Sequence, residues 1–311
     1  MRQYKRLLPI RLPVAISPVD DAMGANLFLV QLLNGIQYGM LLFLLASGLT
    51  LTFGIMGVIN LAHGAFFMIG AYLSYQFITL MGWPLWASLV ASIGIVVLIG
   101  TLTEWLTLAP LADRDHLDQV LLTYGLILIF DELTVMIWGK DVHSAQMPEF
   151  LSGSVDVLSL FSYPLYRLFV IMAGLLVAIC LYGLISRTRL GMIVRAGSVD
   201  REMVRSLGIS IKPIFSVVFG LGAALAALGG IIARPIMSTS PGMGDRIIVV
   251  AFVVVVIGGI GSVRGAFIGA LLVGLVDSFG KSLFPSFSSF GMYVLMALVL
   301  LWRPRGLLGA K

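Results

Sequence analysis

Charge is scarce in this sequence: only 11% of its 311 residues are Asp, Glu, Lys or Arg, whereas 59% are hydrophobic. A soluble domain usually carries about 25% charged and about 45–50% apolar residues. Because so few charges cannot cover the surface of a globule of this size, the composition excludes a soluble enzyme and an intrinsically disordered chain. The single cysteine, Cys180, excludes a disulfide framework within one chain.

Long apolar runs take the place of the missing charge, and residues 22–103 contain no Asp, Glu, Lys or Arg at all. A helix crosses a bilayer with about 20 apolar residues, whereas the strands of a membrane barrel alternate apolar and polar residues. The sequence therefore predicts an all-α, polytopic transmembrane protein with eight to ten membrane segments, broken or half helices included. Beyond residue 80 these segments are expected at residues 84–108, 119–138, 166–185, 213–233, 247–260, 266–284 and 291–302.

The basic residues predict how the chain is oriented, since short cytoplasmic loops are enriched in Lys and Arg. They gather in the head, in the segment 186–212 and in the tail, while residues 131–156 carry five acids and one lysine. We therefore expect both termini and the segment 186–212 in the cytoplasm, with a cytoplasmic arm over residues 1–25 and one permease domain over residues 26–311. One helix per apolar run would instead place the N-terminus outside. We give the charge bias more weight and expect three short or broken crossings in residues 26–80.

Two glycine clusters interrupt apolar runs, one over residues 54–64 and one over residues 258–265. Each leads into a similar phrase, Gly-Ala-Phe-Phe-Met-Ile-Gly-Ala and Gly-Ala-Phe-Ile-Gly-Ala, which indicates a weak repeat with one copy in each half. Glycine-broken helices at matching places in two halves mark a transport pathway in many transporters. Close helix packing with tight turns explains the same pattern equally well. The pathway or hinge residues that we predict are Asn60, His63, Gly64, Gly258, Gly259 and Gly261.

A few ionisable residues lie in or beside apolar segments. We favour a structural role for His63, bonded to a free carbonyl group, with Asn60 on the same helical face. We expect Glu104 to reach the membrane interface, and Asp277 to pair with Lys281 four residues later. Asp131 and Glu132 either face protein or water near one surface or line a polar cavity, and the sequence does not separate these two interpretations.

The segment 195–209 has the signals of a short capped helix. Ser198 is the expected N-cap, Gly208 the expected C-terminal residue, and the acids Asp200 and Glu202 suit the positive end of a helix. An apolar stripe of Val199, Met203, Val204 and Leu207 follows. Such a helix either rests on the membrane or inserts into a groove on a soluble partner.

Four motifs in order along residues 27–309 resemble the branched-chain amino acid permease family of ABC importers. They are the phrase Gly57–Gly64, the loop residues Arg195-Ala196, Asp200 and Leu207-Gly208-Ile209, the phrase Gly258–Ser262 with Gly265-Ala266, and Pro304–Gly309. Where the family has several basic residues, this chain has Glu104-Trp105 and Ala109-Pro110-Leu111-Ala112 instead. This departure affects the expected solute more than the expected fold.

The resemblance implies a permease subunit at the bacterial inner membrane that works by alternating access. The implied partners are a second, homologous permease subunit in a heterodimer, two cytoplasmic P-loop ATPase subunits and an extracytoplasmic solute-binding protein, with no nucleic acid. No cofactor is implied for this chain, because ATP would bind the partner subunits. The coupling residues implied are Arg195, Ala196, Asp200, Met203, Leu207, Gly208 and Ile209.

Three alternatives remain open at this point. The same family also transports urea, short amides or aromatic acids, so the solute is not determined. An ion-coupled secondary transporter is a different class, which predicts paired charges within the membrane. A P-loop-like phrase at residues 274–282 has five residues between its glycines rather than four, so we do not expect an ATPase site in this chain.

Overall fold

The computed structural model describes residues 18–111, 114–145, 147–157 and 161–309. Within them the chain is almost entirely helical, with one small β-hairpin, β1 (Ser154–Val157) paired antiparallel to β2 (Phe161–Pro164). The helices are α1 (Pro18–Met56), α2 (His63–Ser74), α3 (Leu85–Thr103), α4 (Ala109–Leu111), α5 (His116–Trp138), α6 (Leu165–Arg187), α7 (Arg189–Val199), α8 (Arg201–Ser206), α9 (Lys212–Ala233), α10 (Met243–Gly258), α11 (Val263–Leu283) and α12 (Ser288–Trp302). Two π-helical segments, Tyr75–Leu80 and Glu104–Leu108, extend α2 and α3.

Six helices in the described part of the chain are long and apolar enough to cross a membrane. Helices suit this environment because they satisfy all their backbone hydrogen bonds internally. The shorter apolar helices α2, α10 and α12 bring the number of membrane segments in these residues to nine, within the predicted range. The predicted all-α, polytopic fold is confirmed.

The centre of the bundle is formed by α1 and α9. The most apolar part of α1 is 89% buried and that of α9 is 67% buried, against 22% for α3 and α5 and 17% for α6. A helix that is apolar all round is either buried in protein or faces lipid. The three peripheral helices therefore present apolar side chains outward, as lipid or a neighbouring subunit requires.

One continuous helix, α1, replaces the several crossings expected in residues 26–80, where only α1 and α2 with its π-helical extension are found. That expectation was wrong because the glycines within α1 serve packing rather than interruption. A Cβ on Gly39 would lie 2.8 Å from the carbonyl oxygen of Ala270 in α11, and one on Gly48 would lie 2.7 Å from that of Gly222 in α9. The glycines let three helices approach closely.

The two ends of α1 lie at opposite ends of the bundle. Tyr163 of β2 donates a hydrogen bond of 3.1 Å to Asn34, whereas Ile55 packs against Gly197 of α7. We call these the hairpin end and the loop end. The first turns of α1 and the segment 186–212 therefore do not share a side, contrary to the expectation for the arm over residues 1–25. Residues 1–17 of that arm lie outside the described residues, and the side of Met1 stays a prediction.

The chain turns back into the protein after α1. Gly57, with φ +60°, ends that helix, and a short connection leads to α2, whose first residue His63 bonds to Leu45 of α1. At 1.5 Å per residue, Leu45 lies about 16 Å along α1 from Asn34 at the hairpin end and about 14 Å from Gly54 at the loop end. The start of α2 thus lies near the middle of the bundle, as expected for a half helix.

Candidate functional site

The first turns of α2 and α10 cross near this middle level. A Cβ on Gly244 would lie 2.6 Å from the carbonyl oxygen of Gly64, and a Cβ on Gly64 would lie 2.9 Å from Cβ of Ile248. From the crossing, α2 runs toward the hairpin end, where its last residue Ser74 bonds to Arg234 just after α9. Helix α10 runs toward the loop end, where Gly258 and the C-terminal segment meet. Two short helices that begin inside the bundle bring their positive N-terminal ends together there.

His63 is almost fully buried at the start of α2. Its Nε2 lies 3.2 Å from the carbonyl oxygen of Leu45, and its ring packs edge-on against Phe66 at 6.4 Å. His63 thus bonds to a backbone carbonyl, but that carbonyl lies within the continuous helix α1 and not at a broken helix end as expected. Asn60, three residues earlier, is 1% exposed, and its side-chain amide has no hydrogen-bond partner among the described residues.

A pair of carboxyl groups lies beside the start of α10. Asp131 of α5 faces Asp245, in the first turn of α10, and the backbone N–H of Gly242 just before it. Its neighbour Glu132 is exposed. The sequence did not separate the roles of these two acids, but the structure gives them different surroundings. Of the two, only Asp131 reaches the region where α2 and α10 begin.

The second glycine cluster forms a tight turn at the loop end rather than a break at mid-depth. Gly258 ends α10, and Gly259 and Gly261 have φ of +99° and +77°, which a side chain would strain. Leu308 donates a 3.0 Å hydrogen bond to the carbonyl of Gly258, so the C-terminal segment closes over the turn. Of the six predicted pathway residues, the structure places Asn60, His63 and Gly64 together and these three glycines in a separate turn.

The two repeated phrases nevertheless have similar positions. Each begins a helix, and the first glycine of each, Gly64 or Gly265, packs against a glycine of α10, Gly244 or Gly258 respectively. The shared sequence therefore reflects one packing requirement met twice, at the two ends of α10.

The segment 195–209 forms parts of two helices instead of one, with the break at Asp200. Asp200 is the N-cap of α8 and accepts a 2.9 Å hydrogen bond from the backbone N–H of Met203. The expected N-cap, Ser198, lies within α7 and donates to the carbonyl of Arg195. That prediction was wrong because serine bonded back to the preceding turn, a common alternative for this side chain inside helices.

The C-terminal end of this segment follows the prediction. Gly208 has φ +80°, its N–H bonds to the carbonyl of Arg205, and the N–H of Ile209 bonds to that of Val204. These two bonds make a Schellman motif that closes α8. The last α-helical hydrogen bond of α7 runs from the N–H of Asp200 to the carbonyl of Ala196.

The apolar stripe of this segment divides between the interior and the surface. Val204 is buried, whereas Val199, Met203 and Leu207 are 81%, 58% and 71% exposed. We call these three residues the loop patch. Clustered exposed apolar side chains beside basic residues such as Arg195 and Arg205 are typical of a surface that another molecule covers.

Glu104 does not reach the membrane interface, and that expectation was wrong. It is 2% exposed, begins the π-helical segment of α3, and accepts a 2.7 Å hydrogen bond from the hydroxyl of Ser216 in α9. Asp277 and Lys281 form the predicted pair on α11, with 2.7 Å between Oδ2 and Nζ.

Sequence reasoning missed Asp245 and Gly244. Both lie just before the apolar segment expected to begin at residue 247. The signal that would have found them is Pro241-Gly242-Met243-Gly244, since Gly242 with φ +72° makes the sharp entry into α10. The buried Arg234, which donates a 2.7 Å hydrogen bond to Thr79, was missed too, because that contact joins distant segments.

The bundle contains half helices that begin in its interior, polar groups at the start of these helices, and an exposed apolar patch on a basic loop. Together these features define a polytopic transport protein. The family described as the permease component of branched-chain amino acid transport systems matches residues 31–302. The chain belongs to this family of ABC permeases, and it is a multi-pass membrane protein.

Individual relatives agree over nearly the whole chain. The high-affinity branched-chain amino acid transport system permease protein BraD of Pseudomonas aeruginosa is 34% identical over 298 residues, covering 91% of this chain and 96% of the relative. LivH of Escherichia coli, with the same description, is 29% identical with the same coverage. A probable LivH of Methanocaldococcus jannaschii is 29% identical and covers 79% of this chain and 78% of its own length.

Proposed function

We propose that this chain and a second, homologous permease subunit form the translocation path of an ABC importer for branched-chain amino acids in a bacterial inner membrane. Two ATPase subunits drive alternating access from the cytoplasm, and a solute-binding protein delivers the amino acid from outside. ATP binds the ATPase subunits, and this chain carries no catalytic site. Membership of the family and the solutes named for BraD and LivH support this proposal.

The observation that carries the proposal is the loop patch. A protein that transports by itself has no need of three apolar side chains exposed on a charged loop, because their exposure to water is unfavourable. Asp200 and Gly208 fix both ends of α8, so Met203 and Leu207 are held in place before a partner binds. A short, pre-ordered helix of this kind suits insertion into a groove on an ATPase subunit.

The mid-depth crossing is the proposed place of the path. The N-terminal ends of α2 and α10 favour a carboxylate, and the carboxyl groups of Asp131 and Asp245 favour an ammonium group. Both charges of an amino acid zwitterion therefore have a counterpart in one region. Of the predicted path residues, Asn60, His63 and Gly64 belong to it, and His63 shapes the region through its bond to Leu45.

The proposed orientation places the loop end in the cytoplasm. Basic residues lie there on α7 and α8 and after α12, as the positive-inside tendency requires. The C-terminal segment lies at the same end, since Leu307 and Leu308 bond to the end of α10. Because α1 begins at the hairpin end, residue 18 then lies on the outer side, where the binding protein would dock.

Assembly with the ATPase subunits tests the proposal. We expect Met203→Glu with Leu207→Glu to abolish co-purification of the ATPase subunits from membranes, while the yield of folded permease stays unchanged. Val155→Glu is the matched control, because Val155 is an exposed apolar residue at the hairpin end. Normal assembly of the double variant, or equal loss in the control, would contradict the assignment of the loop patch.

A further inference from the structure

A large groove opens at the loop end and reaches inward along α1 to about the level of the mid-depth crossing. Its volume is about 940 Å³, and its walls come from α1, α6, α7 and the start of α11. Among the predicted path and coupling residues, only Arg195 and Gly261 line it. Along α1 the groove extends from Phe43 to Gly57, a rise of about 21 Å. This distance covers one leaflet of a bilayer whose hydrocarbon core is about 30 Å thick.

The deep part of the groove is apolar and its flank is open. Phe43 and Phe267 meet edge to face at its inner end, with 5.2 Å between their ring centres. On the flank, Ile179 of α6 and Ile268 of α11 are 61% and 41% exposed. These exposed residues lie on the two helices that wall the groove, so its flank is open to the side from which lipid has access.

The mouth of the groove is basic. Arg264 donates a 3.2 Å hydrogen bond to the hydroxyl of Tyr182, and its guanidinium lies 4.8 Å from the centre of the Tyr182 ring. Arg195 of α7 lines the same mouth, with hydroxyl groups from Ser198 and Ser262 nearby. None of the described residues that line the groove is Asp or Glu. The two arginines thus carry charge that no lining carboxylate neutralises.

We infer that this groove binds one anionic phospholipid of the adjacent leaflet, with its acyl chain against Phe43 and Phe267 and its phosphate between Arg195 and Arg264. Basic pockets between membrane helices at the cytoplasmic side hold anionic lipid headgroups in this manner. Guanidinium groups bond phosphate oxygens in pairs, and stacking on Tyr182 already holds one of them in place. The change from basic mouth to apolar depth over one leaflet matches such a lipid.

The inference rests on the proposed function for the cytoplasmic placement of the loop end, and Arg195 is also a predicted coupling residue. Lipid binding is therefore measured on the chain without ATPase subunits, so that its failure is distinguishable from a failure of ATPase assembly. A neighbouring subunit is the other occupant that the groove could receive. A transmembrane helix of that subunit would bring an apolar surface to the depth but no anionic group to the mouth. The uncompensated arginines therefore favour the lipid over the protein.

Native mass spectrometry of the full-length chain in detergent tests the inference. We expect dipalmitoylphosphatidylglycerol to bind more tightly than the phosphatidylcholine with the same acyl chains. Arg195→Gln and Arg264→Gln should each weaken phosphatidylglycerol binding by about fivefold. Arg303→Gln is the control, because Arg303 is an exposed arginine at the same end that does not line the groove. Equal binding of the two lipids, or unchanged binding by the arginine variants, would overturn the inference.

Two further variants keep the test decisive if an arginine variant does not fold. Ala178→Trp fills the groove from α6 and should prevent binding of both lipids, while Arg264→Lys keeps the charge and should retain the preference for phosphatidylglycerol. In the assembled transporter, Ile268→Cys should not cross-link to another subunit. Efficient cross-linking there would show that protein covers the groove and would reject the lipid as its occupant.

Discussion

Gly64 and Gly244 touch backbone to backbone where α2 and α10 begin, and each leaves no room for a side chain on the other. The contact holds two short helices together at the level where polar groups gather inside an apolar bundle. Because the neighbouring atoms are backbone, they cannot move aside as the end of a flexible side chain would.

Alanine at either glycine should therefore be costly. We expect Gly64→Ala or Gly244→Ala to lower the free energy of unfolding by about 1–3 kcal/mol, the usual range for overpacking, and to reduce transport in proportion. Unfolding by denaturant in mixed micelles measures the first effect and solute uptake the second. Gly94→Ala is the control, since no described residue comes within 4 Å of a Cβ at that position of α3. If either variant is as stable as Gly94→Ala, α2 and α10 can move apart at Gly64 and Gly244 without loss of stability.

The cap of α8 distinguishes two neighbouring residues of the loop. Asp200→Ala removes the acceptor for the N–H of Met203, and loss of an N-cap costs about 1 kcal/mol of helix stability. We expect weaker ATPase assembly and fewer transported molecules per ATP hydrolysed. Ser198→Ala should match the wild type, because Ser198 bonds only to its own preceding turn. Impairment by Ser198→Ala with none by Asp200→Ala would reverse the two roles.

The bond between Glu104 and Ser216 joins α3 to α9 at a buried position. Ser216→Ala leaves the Glu104 carboxyl group without this donor, and an unsatisfied buried group costs about 1–3 kcal/mol. We expect a lower melting temperature of the purified protein. Ser206→Ala changes an exposed serine in the same way and should leave that temperature unchanged. If both variants melt like the wild type, the bond contributes nothing to stability.

The ion pair on α11 should matter little. The Lys281 side chain is 63% exposed although that of Asp277 is only 16% exposed, and ion pairs that water reaches stabilise proteins by about 0–1 kcal/mol. Lys281→Gln is therefore expected to fold and transport as the wild type does, measured by uptake at matched protein levels. Abolished uptake by a correctly folded Lys281→Gln variant would revive the ion-coupled class of transporter, in which such charges act as relays.

Local features of the sequence were sufficient for the segments and for one helix end. The apolar runs beyond residue 80 predicted the spans, and Gly208 predicted the end of α8, because both depend on residues close together in the chain. The same local rules did not decide whether Ser198 or Asp200 is the N-cap. Both residue types cap helices, and only the packed structure selects one of them.

The remaining features depend on contacts between distant segments. Glu104 is buried because Ser216, 112 residues away in the chain, supplies a hydrogen-bond donor. Helix α1 passes through Gly48 without a break because Gly222 of α9 packs against it there. Glycine in a lipid-embedded helix signals packing and interruption alike, so the sequence could not tell the mid-depth start of α2 from the turn at Gly259.

Uptake of branched-chain amino acids by proteoliposomes most directly tests the role of this chain as a permease subunit driven by separate ATPases. The vesicles should hold the chain with its second permease, its ATPase subunits and its binding protein, with ATP on the ATPase side. We expect uptake that requires ATP hydrolysis and disappears when the ATPase subunits are left out. Uptake by this chain alone, driven by an ion gradient without ATPase subunits, would contradict that role.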